Sequence, residues 1–304
     1  DVTNDGSNFY PDTFKFAQTL SESKADYGEY SYQSAIMHNK FFIIDKKVVI
    51  TGSANISTTD VSGYNTNDII IIKSPEIANI YEQEFEQMYS NKFHNKKSKI
   101  KNKENILLGN SIISVYFSPQ DNTIPNAIIP LINDAKSYIY IPMFVITHRK
   151  ISQALADAAA RNVDVKIILD ATNASNKYTT HEQLRKAGVA VKTENFAGKV
   201  HSKSIIIDDK YLVTGSMNLS KSGNSKNDEN VLIIENSKLA KYYKTFFAYL
   251  WNKIPDIWLT KNAASESPDS IGSCFDGVDN DFDGQVDSED SGCKMYYPNA
   301  TTAK

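Results

Sequence analysis

Two patterns of apolar positions alternate along the second half of this chain. Short apolar runs bounded by turn residues predict strands, and longer segments with apolar residues every three or four positions predict amphipathic helices. ISVYFSP reads as a strand, and residues 123–136 as a helix begun by Thr123 with Pro125 in its first turn. SYIYIPMF is a strand and HRKISQALADAAARN an amphipathic helix. DVKIILDATN is a strand, and THEQLRKAG a helix that Thr180 can cap and Gly188 can end. This order predicts an α/β fold with mixed, mostly parallel sheets covered by helices on both faces.

The pattern also repeats. HNKFFIIDKKVVITGSAN (His38–Asn55) and HSKSIIIDDKYLVTGSMN (His201–Asn218) superpose after a shift of 163 residues. His38, Lys40, Asp45, Gly52, Ser53 and Asn55 fall on His201, Lys203, Asp208, Gly215, Ser216 and Asn218. The flanks agree as well, NDIIIIKSPEIANIYEQEFEQMY with ENVLIIENSKLAKYYKTFFAYLW. Each copy reads as three strands joined by turns and closed by an amphipathic helix. The opening DVTN matches DATN at Asp170–Asn173, which predicts a first lobe truncated at its N-terminus, with a strand missing upstream. We therefore divide the chain into a partial first lobe (1–103), a second lobe (104–260) and a tail (261–304). The Lys/Asn-rich run at 91–105 reads as a solvated linker or helix end, with contact to anionic lipid or nucleic acid as a lesser alternative.

Charge changes this picture only in the tail. Nine acidic residues against three lysines from Lys261 onward leave the rest mildly basic, about +3 within a total of −3. That is too little for a dedicated duplex binder. Both cysteines, Cys274 and Cys293, lie in the tail around an 18-residue segment rich in Asp and Gly, which predicts a disulfide and an oxidising compartment.

On an extended chain, residues two apart face the same side, so His38 projects with Lys40 and His201 with Lys203. Two lobes face to face would supply a pair each of imidazole, ammonium and amide. That set suits a phosphodiester: cations and amides hold its non-bridging oxygens, one imidazole attacks phosphorus, and the other protonates the leaving oxygen. A lone histidine is more often a packing residue. Recurrence of six polar or turn positions at equal spacing decides against that here.

Both stretches resemble the HxKxxxxD…GSxN signature of the phospholipase D superfamily, and the resemblance covers residues 1–255. It implies two pseudo-symmetric lobes with one active site between them. It implies His38 as nucleophile, His201 as general acid and base, and Lys40, Lys203, Asn55 and Asn218 as phosphate ligands. Asp45 and Asp208 are expected to stabilise each lobe. The family also places a carboxylate downstream to orient each histidine. Glu229 fits that position in the second lobe, beside His201, whereas in the first lobe a one-residue insertion puts Asn67 there with Asp68 adjacent, a weaker support for His38. No cofactor is expected for catalysis.

In the tail, DNDFDGQVDSED offers oxygen ligands at loop positions 1, 3, 5, 9 and 12 in Asp279, Asp281, Asp283, Asp287 and Asp290, and Gln285 adds a carbonyl at position 7. It resembles the calcium loops of thrombospondin type-3 repeats, which implies a structural Ca2+ unconnected with the phosphodiester site. The expectation is a secreted or surface-exposed phosphodiesterase acting on phospholipid at a membrane surface, without an obligate protein partner. Two alternatives stand beside it. One is a secreted endonuclease of the same superfamily, with the tyrosines of YGEYSYQ stacking on bases; the other is a non-catalytic surface binding module.

Overall fold

The computed structural model describes residues 35–296. The N-terminal DVTN and the YGEYSYQ segment lie outside them. The first copy of the repeat folds as an antiparallel sheet of β1 (Phe41–Ile44), β2 (Val48–Gly52) and β3 (Ile69–Lys73). Helix α1 (Pro75–Tyr89) follows, started by the Ser74 hydroxyl, which accepts the Ile77 N–H at 3.2 Å. The second lobe contributes β4 (Ile106–Leu108), β5 (Ser111–Ser118), β6 (Tyr138–Met143), α2 (Arg149–Ala160), β7 (Asp164–Leu169) and β8 (Ala190–Thr193). Its copy of the repeat adds β9 (Ile205–Ile207), β10 (Tyr211–Gly215), β11 (Glu229–Glu235) and α3 (Ser237–Lys253). These strands form one sheet in the order β4-β5-β11-β10-β9-β6-β7-β8.

The sheet is mixed, but its parallel share is smaller than the pattern suggested. Only β6-β7 and β7-β8 are parallel. Tight turns join β9, β10 and β11, and such hairpins impose antiparallel pairing; parallel neighbours arise only where a helical crossover intervenes. Two caps also differ. Neither Thr123 nor Thr180 caps a helix with its side chain. The Ile124 N–H is taken by Asn224 Oδ1 (2.8 Å), and the Thr180 hydroxyl meets Ser152 Oγ (2.6 Å).

The lobes meet face to face. Val49, Ile72, Ile77 and Tyr81 of the first pack with Val115, Phe117, Leu232 and Ile234 of β5 and β11 in one apolar cluster. The Tyr81 ring stands edge-on to Phe41 (5.1 Å) and Phe117 (5.3 Å). Asn230 at the start of β11 accepts the Tyr81 and Thr51 hydroxyls (3.2 and 2.7 Å) and donates to Asn39 (3.1 Å). Polar bonds inside an apolar seam fix register as well as proximity.

The lysine-rich run at 91–105 is solvated along one side only. His94, Lys97 and Lys103 are buried. Lys97 Nζ lies between Glu84 and Asp228 (2.7 Å to the latter) and donates to the Ser118 carbonyl (3.2 Å). Lys103 pairs with Asp121 at 2.8 Å. The run straps both lobes together, because acidic groups already buried at their junction need cations of matching depth. Removing one partner strands the others, so Lys97→Met is expected to cost about 3–5 kcal/mol of stability. Urea unfolding reads this directly, and a loss below about 1 kcal/mol would show that the buried charges are not balanced by Lys97.

Candidate active site

The motif aspartates are explained by turn geometry. Asp45 and Lys46 (φ 50° and 52°), like Asp208 and Asp209 (55° and 52°), are left-handed residues of hairpin turns closed by Lys47 N–H to Ile44 O and Lys210 N–H to Ile207 O. Asp208 also accepts three backbone N–H groups, from Lys136, Ser137 and Tyr138 (2.7–2.9 Å), and so ties the turn to β6. Asp45 is exposed in the equivalent turn. Neither side chain belongs to the site.

The motif glycines let two strands touch. A Cβ on Gly52 would lie 1.9 Å from the Asp68 carbonyl oxygen, and one on Gly215 would lie 2.2 Å from that of Asn230. The close approach delivers Ser53 and Ser216. Ser53 Oγ donates to Asn67 Oδ1 (2.9 Å) and receives the Asp68 N–H (2.8 Å). Ser216 Oγ does the same with Glu229 Oε2 (2.6 Å) and the Asn230 N–H (3.0 Å). Each motif serine therefore aims the residue that supports a histidine.

Those supports are exchanged between lobes. His38 Nδ1 bonds Glu229 Oε2 of the second lobe at 2.8 Å, and His201 Nδ1 bonds Asn67 Oδ1 of the first at 3.0 Å. The expectation that Glu229 serves its own lobe's His201 is corrected. The segments before β1 and β9 cross the lobe junction, where Met37 bridges to Asp228 and Thr66 to Val200.

A further carboxylate stands behind Asn67. Asp60 Oδ1 accepts from Asn67 Nδ2 (2.8 Å) and Asn65 Nδ2 (2.7 Å), and Asp60 Oδ2 lies 3.7 Å from His201 Nδ1. Sequence reasoning missed Asp60. The signal was present, since the shift that superposes the motifs sets Asp60 against Gly223, a break in the repeat at a position near the site. Asp60 Oδ2 also holds the Asn55 side-chain amide (2.8 Å).

Lys40 and Lys203 curl back onto the carbonyls of His38 (3.0 Å) and His201 (2.6 Å). Phe144 lies edge-on to the His201 ring, 4.8 Å away, and 4.9 Å from the Lys203 ammonium. The charges register one another across the junction. Burial and the neighbouring Lys40 bring Lys203 down to about 7; burial brings Lys40 to about 8. Burial and then Lys203, Lys40 and His38 hold His201 well below 6.5, while burial lowers His38 against the upward pull of Glu229. The motif histidines and lysines thus come together in one desolvated cationic centre. Asn218 stands at the equivalent place in the second lobe, its side-chain oxygen buried without a hydrogen-bond partner among the described residues.

Such a centre is poised for an anion. An oxyanion restores the lysine protons, so binding should take up protons wherever the free lysines have lost them, from about pH 7 upward. Sulfate, whose own charge does not change there, is expected to bind more weakly as pH rises from about 6 to 9. The decline is up to about tenfold per unit for each lysine that regains its proton. Calorimetry in buffers of different ionisation enthalpy checks this, and a flat profile without proton uptake would contradict it.

The tail folds around the expected disulfide, Cys274–Cys293. Its carboxylates gather differently from the spacing pattern. Carboxylate oxygens converge in two groups that share Asp281: Glu266, Asp279 and Asp281, and Asp281, Asp283 and Asp290. Asp287 turns away to accept the Asp276 and Gly277 N–H groups (3.1 Å each), and the Gln285 side chain bonds Asp283 (3.3 Å). Glu266 lies upstream of the repeat-like run, which is why spacing alone missed it.

A mixed sheet flanked by helices, and a doubled His-Lys centre at a pseudo-twofold junction, define a phosphoryl-transfer protein of the phospholipase D class. The family profile described as "Cardiolipin synthase, PLD-like domain" matches residues 3–89 and 128–251, and the chain belongs to that family. A protein named phospholipase D from Rickettsia bellii is 35% identical over 150 residues, 49% of this chain and 74% of its own. The mitochondrial cardiolipin hydrolase of Chlamydomonas reinhardtii is 32% identical over 112 residues, 37% of this chain and half of its own. In fold, the phosphatidylserine synthase of Haemophilus influenzae superposes with a TM-score of 0.59 at 15% identity, covering 81% of this chain and 72% of that one. The chain is a phosphodiester hydrolase.

Proposed function

We propose that it hydrolyses a phospholipid phosphodiester through a phosphohistidine on His38. The observation that carries the reading is the unequal support of the two imidazoles. In both, an acceptor on Nδ1 leaves Nε2 free to face substrate. Glu229 places full negative charge on the Nδ1–H of His38, which favours the cationic N-phosphoimidazole formed when Nε2 attacks phosphorus. His201 leans on an amide oxygen, so its imidazolium stays acidic enough to release a proton.

In the first step the His38 Nε2 lone pair forms the N–P bond, the bond from phosphorus to the leaving oxygen breaks, and the proton on His201 Nε2 passes to that oxygen. In the second, His201 takes a proton from water, the water oxygen attacks phosphorus, and the N–P pair returns to His38. Lys40, Lys203, Asn55 and Asn218 hold the non-bridging oxygens. The products are an alcohol and a phosphomonoester.

The phospholipid assignment draws on the phospholipase D and cardiolipin hydrolase relatives and on the modest charge of the body. The disulfide supports a secreted or surface setting, and in the tail a calcium ion suits the hard oxygen donor set. No helix among the described residues is long and apolar enough to cross a membrane. Turnover of phosphatidylcholine vesicles and of single-stranded DNA, measured in parallel with calcium present, tests the proposal. Release of phosphatidate alone is the expected result, cleavage of DNA alone would reassign the substrate to nucleic acid, and inactivity on both would overturn the phospholipid assignment and point to another phosphodiester.

A further inference from the structure

The tail loop does not stand apart from the phosphodiester site. We propose that Glu266, Asp279, Asp281, Asp283 and Asp290 bind one divalent cation of calcium size, and that the filled loop positions His201 through Asn280. The second half rests on the reading of His201 as a participant in cleavage.

Five carboxylates gather here with oxygens in each group inside 4.8 Å of one another. Asp290 is only 1% exposed; its Oδ1 accepts the Gly292 N–H (2.5 Å), while its Oδ2 is buried without a hydrogen-bond partner among the described residues. A carboxylate oxygen removed from water needs a proton, a donor or a cation, and no donor among the described residues reaches this one. Gly284, in the left-handed region at φ 92°, turns the chain so that Asp279, Asp281 and Asp283 approach from one side while Glu266 and Asp290 approach from elsewhere. An all-oxygen, carboxylate-rich set on a pliable loop suits calcium, which accepts six to eight oxygens, better than magnesium, which demands a tight octahedron.

Asn280 sits between two of these ligands, so a bound ion fixes its backbone on both sides. Its N–H bonds Glu266 Oε2 (2.6 Å), and its side-chain amide donates to the Ala197 carbonyl (2.8 Å) and the Tyr64 hydroxyl (3.0 Å). Its carbonyl accepts the Lys199 ammonium, which also lies 4.0 Å from the Phe282 ring centroid. Ala197–Lys199 is the stretch of chain that leads directly into His201. Lys199 N–H bonds Asn65 Oδ1 (2.9 Å), and Lys199 O accepts the Thr66 N–H (2.8 Å). Asn65 in turn holds Asp60, the carboxylate behind His201. Between these segments there is no slack, since a Cβ on Gly198 would lie 1.9 Å from the Tyr64 carbonyl oxygen. One asparagine thus ties the loop to both chain segments that set the His201 ring. The cation takes no part in bond making; it braces a general acid.

The full chain, freed of metal with EDTA and dialysed, is titrated with CaCl2 by calorimetry and followed by thermal unfolding, by imidazole NMR of His201, and by kcat/KM on bis(p-nitrophenyl) phosphate, a soluble substrate without lipid. One calcium per chain is expected, with a rise in Tm, a shift of the His201 Nδ1–H signal, and a gain of about 10–100-fold in kcat/KM that magnesium does not reproduce. Asp290→Asn should weaken calcium binding yet reach the wild-type kcat/KM at saturating calcium. Asn280→Ala should keep calcium binding, lower kcat/KM, and lose its response to calcium. No heat and no Tm shift at about 1 mM calcium would remove the site. Calcium binding with an unmoved His201 signal would overturn the link. Should the phosphodiesterase reading itself fail, turnover is absent throughout, and the calorimetric and NMR results still decide the inference.

Discussion

With a phosphodiester carrying an activated leaving group such as p-nitrophenolate, His201→Asn is expected to accumulate phosphorylated protein, and His38→Asn none. A p-nitrophenolate leaves without protonation, so the first step no longer needs His201, and His38 still attacks. The second step does need it, because in the proposed mechanism His201 is the group that takes the proton from water. Loss of that base slows hydrolysis of the N–P bond by about 10²–10⁴-fold, and the intermediate builds up as a burst followed by near silence. An acid-labile phosphate located on His38 by mass spectrometry, with one equivalent of nitrophenolate released, is the expected pair of readings. Phosphate on His201 in the His38→Asn protein would reverse the assignment, and phosphate on neither would exclude a covalent route.

The repeat carried most of this site before any coordinates. His, Lys, Gly, Ser and Asn recur at fixed spacing because each lobe must build the same turn, the same close strand approach and the same display of side chains. Spacing reports what one lobe does locally. It does not report which lobe's support reaches which histidine, and that is where the reading failed: Glu229 was assigned to its neighbour in sequence and serves its neighbour in space. The strap at 91–105 went wrong for a related reason. A run of lysines looks solvated unless its counter-charges are known, and those counter-charges, Asp228, Glu84 and Asp121, come from other elements. The sheet was legible in its alternation of strands and helices but not in its direction, because hairpins inside the repeat outnumber crossovers outside it. Cys274 and Cys293 were legible because no other cysteines competed.

The exchange of supports makes the two halves of the reaction separable by leaving group. Glu229→Gln keeps the shape but removes the charge opposite His38 Nδ1. Three donors now converge on that carboxylate: His38 Nδ1 and Ser216 Oγ on Oε2, and Asn227 Nδ2 on Oε1 (3.1 Å). An amide has one acceptor for three donors, so it either faces Asn227 with its own N–H or turns that N–H toward His38 and enforces the other tautomer. Either way the phosphoimidazolium loses its counter-charge, and kcat/KM should fall by about 10²–10⁴-fold, whatever the leaving group. Asp60→Asn behaves differently. It weakens the relay through Asn67 to His201, so cleavage of a diester with an alkyl leaving group should slow by about 10²-fold, while formation of the phosphoprotein from the p-nitrophenyl ester barely changes. Equal losses on both substrates in both variants would mean that Glu229 and Asp60 act on one common imidazole. The pH profile supplies an independent reading: in the proposed mechanism kcat/KM needs His38 unprotonated and His201 protonated, and both are held below 6.5. The alkaline limb of the profile should therefore lie below 6.5 as an apparent value of the coupled pair, and Asp60→Asn, by taking negative charge from beside His201, should move it further toward acid.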